Sequence, residues 1–342
     1  MMPCHPEMPL RRLPLVTLYL SERCNSRCVS CDYWRHGRAD LDLETVSRLL
    51  PSFERLGTEV VLISGGEPLL NPQWAQIAEL LGSHGLRLWL LTSGLSLAKH
   101  AQRAAGAFEA ITVSMDGTDR RTYAEIRGVD AFDVVCRGVR AAVAAGVPVT
   151  LRVTLQRGNF RQLPSFVALG RQLDVAHISF LAIDVANSHA FGRQNGFMTD
   201  LALQPEDLGE LERILLALER EQADAFSCGF IAESPEKLRA RILQQFTAVC
   251  GLGPYPPVRC NAPEFSAVID ARGHVSPCFF INGPPEAVVA DDLEGVLNGD
   301  SMVALRHDIR RGARAECSRC VCSMWRDLRA PAAGRMPLAR SA

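Results

Sequence analysis

Cys24-Asn25-Ser26-Arg27-Cys28-Val29-Ser30-Cys31 places three thiols within eight residues, directly after the apolar run Leu15-Val16-Thr17-Leu18-Tyr19-Leu20. The run reads as a strand and the polar stretch as the loop that follows it. A loop this tight can wrap three sulfurs around one corner of an iron-sulfur cluster, and a [4Fe-4S] cube ordinarily takes four protein thiolates. The next cysteine is Cys136, inside a helical pattern. The spacing therefore leaves one iron open to an exogenous ligand, as a catalytic zinc keeps one position for chemistry. Two plainer readings compete: a structural zinc knuckle, for which His36 is the only near fourth donor, and three unrelated buried thiols.

Outward from this loop the chain alternates. Asp42 to Leu56 has apolar positions at helical spacing, with Asp42 as cap and Gly57 as stop. Val60-Val61-Leu62-Ile63 is a continuous apolar run, as in a strand buried on both faces. Helices are then predicted over 74–84, 97–105, 132–145 and 163–173, and strands over 86–92, 110–115, 148–155 and 177–183. Short connections between alternating elements imply right-handed crossovers and a parallel sheet. Six such units are too few to close an eight-stranded barrel, so the expected fold is α/β, a partial (β/α)6 TIM barrel working at the carboxyl ends of its strands. Cys24, Gly65 and Asp116 all fall just past strand ends and should share one mouth.

C-x3-C-x2-C after the first strand, with Gly65-Gly66-Glu67-Pro68 after the second, resembles the radical S-adenosylmethionine (SAM) superfamily, over roughly residues 14–225. One departure is Ser30, where the family usually carries an aromatic residue; Tyr33 or Trp34 is then the aromatic expected near the cofactor. Gly65 and Gly66 allow a close backbone approach, and Glu67 with Pro68 fixes the turn. The resemblance implies that Gly65, Gly66, Glu67 and Pro68 hold the methionine amino group of SAM. Ser93, Ser114 and Asp116 are small polar groups on the same rim, suited to ribose hydroxyls or equally to ordinary turns and caps. Arg152 is a cation among apolar strand residues, which is costly unless paired. It resembles the family arginine that meets the SAM carboxylate, the alternative being a salt bridge to Glu67 or Asp116. The implied chemistry is reductive cleavage of SAM at a cluster held by Cys24, Cys28 and Cys31, giving a 5'-deoxyadenosyl radical that abstracts a substrate hydrogen.

The C-terminal third carries Cys228, Cys250, Cys260, Cys278, Cys317, Cys320 and Cys322. Residues 265–270 and 274–281 read as a β-hairpin turning at Gly273, with Cys278 on the second strand, and Cys317-Ser318-Arg319-Cys320 precedes a short helix. Two thiol pairs brought together can encase one further cluster. Cys260, Gly273 and Cys278 resemble the cysteine-glycine-cysteine element of twitch domains, the shortened form of the SPASM extension. That implies an auxiliary [4Fe-4S] cluster on Cys260, Cys278, Cys317 and Cys320. Cys322 or Cys250 could substitute for one of these, and a zinc ribbon is the alternative. Cys4, Cys136 and Cys228 read as ordinary thiols. The expected divisions are an irregular segment 1–13, the barrel 14–225, a small cysteine-rich β-hairpin/helix domain 226–328 with a boundary over 223–233, and a tail 329–342.

Composition bounds the function. The 342 residues are 47% hydrophobic with a net charge of -1, so a nucleic-acid partner held through phosphates is not indicated. No run approaches the ~20 apolar residues of a membrane span, and a cytoplasmic location follows. Twelve cysteines then read as metal ligands rather than disulfides. A fully ligated auxiliary cluster cannot activate SAM but can accept an electron, so the expected activity is a radical SAM oxidoreductase dehydrogenating a small polar metabolite. Its electron donor would be a flavodoxin or ferredoxin. Asp184 and His189, with Asn187 and Ser188, could bind hydroxyls or take the departing proton, or simply cap their loop. Maturation of a ribosomal peptide, redox-neutral decarboxylation or dehydration of a sugar nucleoside, and a non-enzymatic two-cluster electron carrier are the alternatives.

Overall fold

The computed structural model describes residues 9–35, 37–185, 187, 190–193 and 198–328. Cys4, His36, Ser188, His189 and the tail from 329 lie outside the described residues. Six parallel strands, β1 (Leu15–Ser21), β2 (Val60–Gly65), β3 (Arg87–Thr92), β4 (Ala110–Ser114), β5 (Val149–Leu155) and β6 (His177–Ala182), lie side by side in chain order. The helices between them are α1 (Leu43–Arg55), α2 (Trp74–Ser83), α3 (Leu97–Ala107), α4 (Arg120–Arg127), α5 (Phe132–Ala144) and α6 (Leu163–Gln172), followed by α7 (Pro205–Glu221). The expected partial barrel is present, with element ends within two or three residues of the sequence reading.

Alternation along β5 shows how the sheet divides its faces. Val149, Leu151, Val153 and Leu155 are buried in the main core, while Thr150, Arg152 and Thr154 are only half-buried. Successive strand residues point to opposite faces, so Arg152 lies on the face away from that aliphatic row. Ser114, Arg152 and Ser179 are register partners across β4, β5 and β6, and form one row.

The C-terminal hairpin is not a separate layer. β7 (Ser266–Ile269) adds parallel to β1 on the side opposite β2, and β8 (Val275–Ser276) pairs antiparallel with β7, giving one eight-stranded sheet with β6 and β8 outermost. The second strand is shorter than expected, because the chain turns back in the Cys278–Ile281 bridge; Cys278 lies past the strand rather than on it. Cys317 lies inside the short helix Ala315–Ser318, not ahead of one.

Several elements escaped the sequence reading, the helices Leu293–Asn298 and Asp300–Arg310 among them. α4 is largely charged, so its apolar period is carried by Tyr123 and Ile126 alone, yet Asp119 caps it by accepting from Thr122 N at 2.9 Å and Gly128 ends it at φ +69°. The stretch 223–233 is packed rather than loose: Ile178 N donates to Phe230 O at 2.7 Å and Ala232 N to Ile178 O at 2.9 Å, which lays it along β6. After it come the helical turn Pro235–Leu238, a π turn Arg239–Leu243 and the helix Gln244–Val249. Among the described residues no helix is long and apolar enough to cross a membrane.

Candidate active site

Backbone bonds from three directions hold the first cysteine loop. After β2, Gly66 N donates to Ser21 O at 2.8 Å and Glu67 N to Arg23 O at 2.7 Å. At the end of α4, the carbonyls of Arg127 and Ile126 accept from Arg27 N and Val29 N at 2.9 and 3.0 Å. Beyond β6, Phe191 O accepts from Asp32 N at 2.9 Å, and the Arg193 guanidinium donates to Ser30 O at 3.1 and 3.3 Å. The glycine pair serves this fit. Gly65 sits at φ +125°, and a Cβ would stand 2.7 Å from Ser21 O there and 2.4 Å from Arg23 O at Gly66, closer than any side chain tolerates.

Glu67 is fully buried and accepts from Thr92 Oγ1 at 2.8 Å, Ser93 N at 2.7 Å and Leu69 N at 3.2 Å. It ties the turn at Pro68 to the end of β3. Ser93 Oγ in turn donates to Asn25 Oδ1 at 3.0 Å, linking that rim to the cysteine loop. Asp116 has both oxygens engaged, one by Arg127 at 3.1 Å and one by Thr154 N at 2.8 Å. Arg152 therefore pairs with neither Glu67 nor Asp116. Ser114 lies beside it in register.

Burial raises the three thiols, Cys24 to about 11 and Cys31 to about 12, and the Arg127 cation opposes the rise at all three. Cys28 and Cys24 also raise Cys31, so the three sulfurs share one small region. Among the described residues no group of three Cys, His, Asp or Glu side chains converges on a point that one metal ion could occupy, whereas a cluster spreads its thiolates over separate irons. Bound iron would supply the positive charge that ionises such thiols.

The second group gathers five thiols. Cys260 and Cys317 act on Cys278, Cys260 and Cys322 act on Cys320, and Cys260 acts on Cys322. Burial raises Cys278 to about 12 and Cys317 to about 11. Cys250 is elsewhere: its thiol faces Leu203 O at 3.3 Å and feels Glu206 and Asp207 of α7. Cys136 is buried in α5, and Cys228 is exposed.

Tyr19 stands between the two groups. It is held in the neutral form by burial, then by Tyr33, then by the charges of Cys31 and Cys278. Its ring meets Tyr33 edge-on at 5.7 Å and stacks with Phe279 at 6.5 Å. Tyr33 lies two residues past Cys31, and Phe279 follows Cys278, so the rings span from one cysteine group to the other. Of the two aromatics expected near the first group, Tyr33 is the one whose hydroxyl feels Cys31.

The loop after β6 covers this junction. Asn187 donates to Phe280 O at 2.6 Å, and Phe191 meets Phe280 edge-on at 5.7 Å. Asp184 is buried and accepts from Asn187 N at 3.0 Å, bracing the loop; its companion His189 lies outside the described residues. Arg127, Arg193, Asn25 and Tyr19 were not singled out from sequence. Each acts across more than sixty residues of chain, a relation that no local pattern records.

The donor set fits two clusters and a polar co-substrate. Three thiols share one loop, at least four converge in the second group, and buried polar atoms stand without a protein partner at Ser26 Oγ, Arg152 Nε and Gln156 Nε2. Buried polar atoms are otherwise nearly always hydrogen-bonded.

A family model described as the Radical SAM superfamily matches residues 18–164, and one described as an iron-sulfur cluster-binding (SPASM) domain matches 260–321. A GTP 3',8-cyclase of Erythrobacter litoralis is 34% identical over 185 residues, covering 51% of this chain and 56% of that protein. The Fe-coproporphyrin III synthase of Methanosarcina barkeri is 28% identical over 179 residues, 49% of this chain and 43% of that protein. The chain thus spans about half the length of the curated relatives it matches. Streptococcus suis SuiB bound to S-adenosylmethionine superposes with a TM-score of 0.65 at 13% identity, over 93% of this chain and 74% of that one. Native anSMEcpe with bound AdoMet gives 0.62 at 18%, over 84% and 82%. At such identities the likeness concerns the fold alone.

Proposed function

Because the chain belongs to the radical SAM superfamily and carries a SPASM-type iron-sulfur region, we propose that it cleaves SAM reductively and oxidises a small polar metabolite. The observation that carries this reading is the second thiol group, set against the first through Tyr19. Five thiols there exceed the four that a closed cluster takes. When bound, the two clusters and SAM supply a 5'-deoxyadenosyl radical on one side and a one-electron acceptor on the other, which together amount to a two-electron oxidation.

The chain's own residues bind, orient and exclude water. Cys24, Cys28 and Cys31 would hold the first cluster, and Cys260, Cys278, Cys317 and Cys320 the second. Glu67, Ser93 and Asn25 fix the rim on which the methionine end of SAM would rest, with Gly65, Gly66 and Pro68 shaping the turn. Ser114 and Arg152 offer a hydroxyl and a cation on the strand row beside it. Phe191, Phe280 and Arg193 shield the Cys31 side from solvent, as a radical requires. Asp184 is a carboxylate at the β6 end, within the same loop, to receive a departing proton. A flavodoxin or ferredoxin would donate the electron that starts each turnover.

A redox-neutral rearrangement is the second reading, favoured by the 34% identity to a GTP 3',8-cyclase. One experiment separates them. Reconstituted protein given SAM, dithionite and extracts of candidate metabolites should form 5'-deoxyadenosine in a 1:1 ratio with a dehydrogenated product, flagged by a mass loss of two hydrogens. A product isomeric with its substrate would instead establish the rearrangement.

A further inference from the structure

Two buried guanidinium nitrogens near β5 and β6 have no partner, Arg152 Nε and Arg241 Nη1. Neither side chain makes a hydrogen bond or ion pair among the described residues. Arg152 stands on β5 between Ser114 and Ser179. Arg241 lies in the π turn Arg239–Leu243, one turn beyond Lys237. The three cations share one region, because the charges of Arg152, Arg241 and Lys237 all act on the Cys322 thiol, and both arginines act on Lys237.

The acid that acts on Lys237 is Glu233. Its two carboxylate oxygens also accept from Ser179 Oγ at 2.5 Å and Phe180 N at 2.9 Å, which fixes it against β6. Lys237 thus has a fixed carboxylate beside it, while the two arginines bring buried guanidinium nitrogens without acceptors into the same region. Holding guanidinium groups away from water without acceptors is costly and persists where an acceptor arrives. π turns are rare and frequently lie at functional sites.

We propose that Arg152, Lys237 and Arg241 form a subsite for an anionic group of the substrate, a carboxylate or a phosphate, beside Cys322 on the β5–β6 side of the barrel. The inference rests on the reading that a small molecule is processed at this mouth, and it names the chemistry by which that molecule is anchored. Arginine forks suit planar or tetrahedral oxyanions, which take two donors at once. A neutral polyol would leave the cations as they are.

The test uses the full chain after anaerobic reconstitution. Inorganic phosphate and malonate are titrated separately by calorimetry against the wild type, Arg241→Gln and Arg241→Lys, with SAM titrated in parallel. At least one anion should bind saturably, and Arg241→Gln should weaken it about tenfold or more while Arg241→Lys stays within about threefold. SAM affinity should be unchanged in both variants. Preference for phosphate or for malonate tells which oxyanion the subsite takes. Absence of saturable binding of either anion to the wild type would overturn the proposal, as would an Arg241→Gln variant that binds the anion like the wild type. A parallel loss of SAM affinity would also overturn it, assigning the cations to the SAM carboxylate. If Arg241→Gln does not fold, Lys237→Gln and Lys237→Arg give the same comparison. 5'-Deoxyadenosine formation is followed separately: its absence in the wild type would sink the proposed function and leave the anion result to be judged by itself.

Discussion

Cys24, Cys28 and Cys31 come from one loop, whereas the second group is assembled from three segments between residues 260 and 322. The first loop is tied by backbone bonds to the turn after β2, the end of α4 and the loop after β6. Those anchors belong to a sheet whose core needs no metal. The second group hangs from β7 on the sheet edge and is closed by side-chain and end-to-end ties: Asn261 N to Met324 O at 2.9 Å, Asn261 Nδ2 to Arg326 O at 2.8 Å, Gln245 Nε2 to Arg319 O at 3.1 Å, and the Cys278–Ile281 bridge. The barrel fixes the first set within one loop, whereas the second set is drawn from separate segments, and metal binding is coupled to folding most strongly where ligands must be gathered in this way.

Removing iron should break the comparison open. In the chelated protein, hydrogen exchange of residues 276–283 and 315–324 is expected to rise, while β1 to β7 keep their protection. Equal loss across both regions would show that the first loop also depends on its cluster. The next effect in size is Arg127→Gln, which leaves Asp116 buried beside the cysteine loop without its 3.1 Å partner. Breaking a buried pair of this kind costs about 3–5 kcal/mol, to be read from the urea midpoint of the barrel. An unchanged midpoint would mean that Arg127 serves the cofactor and not the fold.

Glu67→Gln turns one accepting oxygen into a donor facing Ser93 N, Thr92 Oγ1 or Leu69 N. A loss of about 1–3 kcal/mol is expected, together with a weaker grip on SAM. A smaller effect should come from a position remote from both groups. Asp207 closes the start of α7, accepting from Gln204 N at 3.0 Å and pairing with Arg157 and Arg161 at 3.0 Å. Burial works against its charge, but these partners outweigh it and hold the carboxyl below its usual range. Its contribution is therefore present above the ordinary carboxylate pKa and is lost as pH falls through the lowered one. Asp207→Asn should remove that acid sensitivity and cost about 1 kcal/mol. Smallest of all, Arg272→Gln removes the exposed ion pair with Glu22 that bridges the hairpin turn and the strand-end loop. No measurable change in midpoint is expected, and a clear one would mean that the two regions are coupled through their surface.

Much of the barrel was legible because its signals are local. Apolar runs of strand length, Asp42 before α1 and Gly57 after it, and cysteine spacing all sit within a few neighbouring residues. The alternation predicted six parallel strands, and six are present in that order. β7 was read as a strand but not as a member of the barrel sheet, since nothing within Ser266–Ile269 names Leu15–Leu18 as its partner. α4 was hidden by its charge, and the π turn has no periodic signature. In the site, the glycine pair was read as allowing a close backbone approach, and it also lets the turn pack against the backbone of Ser21 and Arg23. Asp116 was read as suited either to a ribose or to an ordinary turn, and its oxygens are engaged by Arg127 and Thr154. Both cysteine groups were visible because thiols are rare and their spacing is chemical; the arginines that serve them were not, because arginine is common and its partners lie far off in the chain.

The most direct measurement is iron and acid-labile sulfide per chain after anaerobic reconstitution, for the wild type and for the variant with Cys24, Cys28 and Cys31 all changed to Ala. Two cubane clusters predict about eight irons in the wild type and about four in the variant. About four in the wild type and none in the variant would contradict the second cluster and, with it, the oxidative reading.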